Sequence, residues 1–155
     1  MRHPFHVALR SRRRTRPHVL NLLRLAEITN QPEFHEAAEH TLNALSARIS
    51  GQPVAVPQML VALEYLHAKR RQVVLAGERQ DELMQDFLNA MHARFHPHTV
   101  TLVVDGGPDR DTLRQLVPAI AEMKPLDGRP TAYVCENFAC QLPTHDVSKF
   151  EELLQ

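Results

Sequence analysis

The apolar positions change period once along the chain. Val19, Leu22, Leu23 and Ala26 recur at three- and four-residue steps, the repeat of an amphipathic helix. Asn30-Gln31-Pro32 ends that run, because the residue before a proline is pushed out of helical dihedrals. A second helix is predicted over Pro32–Ile49, with Phe34, Ala37, Ala38, Thr41, Leu45 and Ile49 on one face. Pro32 suits its first turn, where a missing N–H costs nothing. Ser50-Gly51-Gln52-Pro53 closes it, and a third helix starts near Pro57 with Met59, Leu60, Leu63 and Leu66 as its stripe. Past residue 70 the period shortens. Gln72–Ala76 (QVVLA), Thr99–Val104 (TVTLVV) and Thr131–Cys135 (TAYVC) read as buried strands, the first two stopped by Gly77 and by Asp105-Gly106-Gly107-Pro108. Between them, Asp81–Phe95 is a helix with Leu83, Phe87, Met91 and Phe95 inward, and Asp109–Met123 is a helix that Pro118 kinks or splits. Asp146 is placed to cap a last helix, Val147–Leu154.

Strand–helix–strand–helix–strand predicts an α/β fold, with N-terminal helical hairpins packed on a small three-stranded parallel sheet with flanking helices. The expected organisation is a basic, disordered tail at residues 1–18, a helical subregion at 19–70 and an α/β subregion at 71–155. If the strands are parallel, their C-terminal ends share one rim. It would gather Gly77-Glu78-Arg79, Asp105-Gly106-Gly107 and Cys135-Glu136-Asn137 where open α/β sheets bind ligands. Asp105, Gly106, Gly107, Glu136 and Asn137 are therefore the candidate ligand-binding residues.

Composition narrows the function classes. At 155 residues, 43% apolar and 23% charged, the chain can bury one ordinary core. Its net charge of zero gives no global field toward nucleic acid or an anionic membrane, so neither partner is expected. The distribution is uneven: Arg2, Arg10, Arg12, Arg13, Arg14, Arg16 and Arg24 all precede the first acid, Glu27. An acid-free, arginine-rich start is also the composition of an organelle transit peptide. No apolar run approaches the roughly 18–20 residues of a membrane span. Two cysteines in a chain this long do not make a disulfide scaffold and fit a reducing compartment, so the cytoplasm is the expected location.

Candidate chemistry gathers at Thr131–Pro143. Cys135 and Cys140 are five positions apart, about 140° on a helix, so a helix would face their sulfurs apart. Only a turn between Glu136 and Ala139 could unite them. A redox dithiol and a pair of buried, inert cysteines are the two readings. His145 extends the spacing to C-x4-C-x4-H, one ligand short of a structural zinc site. His92, His96 and His98 stand near a helix C-terminus, where cations are favoured. Gly106-Gly107 lacks the remaining residues of a phosphate loop. No cofactor and no metal are predicted.

NLLRLAEITNQPEFHEAAEHTL, PQMLVAL, VVLAG, VTLVVDGG and above all DGRPTAYVCENFACQLPTHD resemble a C-terminal region of the large thioredoxin-domain proteins of the spermatogenesis-associated protein 20 type. The resemblance runs from about Val19 to Gln155. It implies a thioredoxin-like domain and a six-hairpin α/α toroid, similar to N-acylglucosamine 2-epimerases and certain glycosidases, ahead of this region in a full-length relative. The three predicted helices would then be the last hairpins of the toroid. No catalytic residue is carried over, although Cys135, Glu136, Asn137, Phe138 and Cys140 match the family signature. The arginine-rich start does not match, and a truncated or shifted reading frame is expected there. The expected function is a non-catalytic module of a larger protein. The alternatives are a thiol-redox or carbohydrate-active protein using the rim around Asp105 and Cys135, and self-association through exposed helix faces.

Overall fold

The computed structural model describes residues 18–107, 110–136 and 139–155. The predicted tail, residues 1–17 of it, and Asn137 lie outside the described residues. Among those described, the chain forms seven α-helices and four strands. Helices α1 (His18–Thr29), α2 (Pro32–Ala44), α3 (Ser46–Gly51) and α4 (Pro57–His67) precede strand β1 (Arg71–Ala76). Helix α5 (Glu82–His92), β2 (Thr99–Val104), α6 (Arg110–Leu116), β3 (Thr131–Glu136), β4 (Ala139–Cys140) and α7 (Val147–Leu153) follow.

The helical layer closes around Val19, Leu23, Ala38, Leu42, Met59, Ala62 and Tyr65, contributed by α1, α2 and α4. The predicted second helix breaks at Leu45, which leaves helical geometry (φ −105°, ψ 4°) and divides α2 from α3. That bend lets both Leu45 and Ile49 pack on the helical core. On α4 the buried stripe is Met59, Ala62 and Tyr65, so the predicted Leu60 stands partly exposed.

Strand β1 is apolar on both faces, and each face has its own cover. Val73 and Leu75, with Ala132 and Val134 of β3, meet Met84 and Phe87 of α5 and Phe150 of α7. The rings of Phe87 and Phe150 cross edge to face with centroids 5.1 Å apart. On the other face Val74, Ala76, Val104 and Cys135 meet Val117, Ile120 and Met123, with Ile28 of α1 packed against them. Pro118 does split the predicted helix: α6 stops at Leu116 and a 3-10 turn, Pro118–Ile120, follows.

The sheet overturns the parallel prediction. Its order is β2-β1-β3-β4, with β1 and β2 parallel but β3 antiparallel to β1 and β4 antiparallel to β3. The cause lies in the connections. Helix α5 has eleven residues and carries the chain back along the sheet to start β2 beside Arg71. The link from β2 to β3 instead begins and ends at the same end of the sheet. Thr131 enters beside Ala76, the end at which Val104 left, and β3 must run the other way. Gly77 makes that entry possible. Its φ is +149°, and a Cβ there would lie 2.9 Å from the Pro130 Cα.

Candidate functional site

Reversal of β3 separates the residues that the sequence placed on one rim. Asp105, Gly106 and Gly107 follow β2 at the end of the sheet marked by Ala76. Their polar groups are used locally. Arg79 Nε donates to Asp105 Oδ2 at 3.3 Å, and the Gly107 N–H donates to Asp105 Oδ1 at 3.2 Å. Gly106 admits the Glu78 carboxylate, since a Cβ there would meet Glu78 Oε1 at 2.7 Å. Glu136 lies at the other end of the sheet, opposite Arg71. It accepts from Lys69 Nζ and Arg71 Nε, each at 2.8 Å, and Arg71 also donates to the Leu154 carbonyl. The bonds from Lys69 and Arg71 hold the Glu136 carboxyl below the usual carboxylate range.

Cys135 and Cys140 face each other across the β3–β4 hairpin and are joined by a disulfide, with Cα atoms 3.8 Å apart. The reading as a pair of buried cysteines is corrected in that the two are bonded to each other and Cys140 is exposed. Helical rotation does not apply, because antiparallel pairing sets Cys135 directly opposite Cys140. Cys135 is buried and Cys140 is exposed. His145 does not join them: its Nδ1 donates to the Pro130 carbonyl at 2.8 Å. Among the described residues no group of three His, Cys, Asp or Glu side chains is placed to hold a metal ion. His98 pairs with Glu64 at 2.7 Å and stacks at a tilt on Tyr65, whereas His96 Nε2 is buried with no partner among the described residues.

A second group of polar residues was not predicted. Glu27, in the last turns of α1, is only 2% exposed. Its ion-pair partner Arg70 stands at 3.7 Å, beyond hydrogen-bond reach. Burial pushes the Glu27 carboxyl above the usual range, against the opposing pull of Arg70 and His35. Glu27 and Arg70 line a cavity of about 470 Å³ at the α1–α2 junction, together with Asn30, Gln31, His35 and Glu36. Gln72 Nε2 bonds the Glu27 and Ile28 carbonyls and ties this end of α1 to β1. Asn30, at φ +54°, turns the chain between the two helices. Tyr65 is also buried, and its hydroxyl has no partner among the described residues. Burial and then the Glu27 charge raise the Tyr65 pKa, so the two groups share one electrostatic environment. A signal for Glu27 was present: it lies four residues after Leu23 and eight after Val19, on the buried stripe.

A layer of short helices joined to a mixed sheet, with its polar residues divided among three places, defines an α/β module. The chain is homologous to one region of spermatogenesis-associated protein 20. It is 34% identical over 134 residues to the human protein, which covers 86% of this chain and 17% of the human one. It is 32% identical to the rat protein over the same length. An uncharacterized protein of Caenorhabditis elegans is 28% identical over 133 residues, or 86% of this chain and 18% of that protein. The chain thus spans about 17% of the length of the curated mammalian relatives it matches. No family model and no solved structure matches it.

Proposed function

We propose that the chain is a non-catalytic C-terminal module of a larger thioredoxin-domain protein. Residues 19–70 would form the last hairpins of an α/α toroid and residues 71–155 an appended α/β layer. The observation that carries this reading is an open groove of about 240 Å³ where α1 begins. Leu20, Arg24, Val61, Tyr65 and Phe95 line it, with Val61 46% and Phe95 89% exposed. Large apolar side chains in an open groove mark a surface that another element covers. On this reading the occupant is a helix from another part of the larger protein.

The test is titration of the chain with the separately expressed, folded remainder of the human relative. Saturable binding that falls at least about tenfold in the Val61→Asp, Phe95→Asp variant supports the reading. Absence of binding, or binding indifferent to both substitutions, would sink it.

A second reading, thiol redox, is favoured by the disulfide and by the exposure of Cys140. An external dithiol would attack one sulfur, form a mixed disulfide, and leave as its own disulfide with two thiols on the chain. Thiol titration of the native protein before and after such treatment checks it. A bond resistant to excess dithiol in the folded state counts against it.

A further inference from the structure

The α1–α2 cavity is built around a charge that the chain itself does not fully compensate. A carboxylate removed from water needs charge-assisted partners, and Glu27 has Arg70 only at 3.7 Å. Beside that pair the wall carries a second acid, Glu36, and a second base, His35, itself 3.7 Å from Glu39. Ala26 and Pro32 supply its apolar part. Acids and bases alternate within one small cavity, which selects among ligands. A simple anion is repelled by Glu27 and Glu36, and a simple cation by Arg70. A molecule that carries both signs a few ångströms apart satisfies both.

We propose that this cavity binds a free α-amino acid with a small apolar side chain. Its ammonium group donates to Glu27, with Glu36 nearby. Its carboxylate takes the Arg70 guanidinium, which is suited to planar, two-point recognition of carboxylates. The side chain lies on Ala26 and Pro32. The hydrogen bonds from Gln72 hold the Glu27 backbone in place, so the acidic half of the site is carried on the end of α1, while Arg70 comes from the link between α4 and β1. The site does not involve the groove at the start of α1, and it stands or falls independently of the module reading.

The probe is L-valine, titrated into the whole chain by calorimetry or by NMR shifts, alongside N-acetyl-L-valine and L-valinamide. Valine is expected to bind saturably. The acetylated compound, which lacks the ammonium, and the amide, which lacks the carboxylate, should each bind at least about tenfold more weakly. Glu27→Gln, which preserves shape, is expected to weaken valine by a similar factor while circular dichroism stays unchanged. No saturable binding of valine by the wild-type chain overturns the proposal. So does equal binding of all three compounds, or full affinity in the Glu27→Gln variant.

Discussion

Glu27 and Glu136 are two carboxylates in opposite surroundings, and they tie stability to pH with opposite signs. Burial raises the folded pKa of Glu27, so the folded chain keeps a proton that the unfolded chain has released. Its contribution is therefore most favourable below the ordinary carboxylate pKa and is lost as pH rises through the raised value. Glu27→Gln should be more stable than wild type above that window, and the difference should close below it. Glu136 behaves the other way. Lys69 and Arg71 lower its folded pKa, so its contribution is present above the ordinary value and is lost as pH falls through the lowered one. Glu136→Gln should cost less than about 1 kcal/mol at neutral pH, since the group is partly exposed, and nothing in strong acid. Urea midpoints across pH check both. Tyr65 adds a third case. Among the described residues its buried hydroxyl has no partner, which costs about 1–3 kcal/mol, so Tyr65→Phe is expected to raise the melting temperature by about 2–4 °C or more.

Element by element, what could be read from the sequence was the existence of each piece. The structure bounds Gln72–Ala76 and Thr99–Val104 within one residue of the reading, but only the first is the buried strand expected; β2 lies at the sheet edge with only Val100 and Val104 buried. Direction was not legible in the strands themselves. It lies in which end of the sheet each connection returns to, and apolar periodicity does not record that. The candidate site suffered from the same cause, since Asp105 and Glu136 share a rim only in a parallel sheet. Spacing excluded a helix between the cysteines and left a turn as the way to unite them, but only the pairing of β3 with β4 shows that they meet. Asp146 is a case where sequence and structure agree in detail. Its Oδ1 accepts from the N–H groups of Ser148 and Lys149 at 2.8 and 3.2 Å. Asp146→Ala should cost about 1 kcal/mol, measured by chemical unfolding, through loss of the α7 cap.

For the molecule as a whole, the disulfide is a local fastening. It closes a loop of six residues at the outer strand of the sheet. Loop-closure entropy for so short a ring is about 2 kcal/mol at 25 °C. Unfolding with and without dithiothreitol should differ by no more than about that amount, with the chain still folded when reduced. Collapse on reduction would show that the hairpin holds more than its own strands. No helix among the described residues is long and apolar enough to cross a membrane.

The order β2-β1-β3-β4 also sets a timetable for synthesis. Strand β1 receives its parallel neighbour after one short helix, but its other edge waits for β3, some sixty residues later in the chain. A ribosome that has released everything up to Pro130 presents a half-built sheet. The Val73–Ala76 backbone is then open along one side, beside apolar side chains that also lack their cover from Ala132, Val134 and Phe150. An unpaired, hydrophobic edge is a template for other chains. Chains ending before Thr131 are thus expected to aggregate more readily than the whole chain, in which residues 131–155 pair and cover that edge.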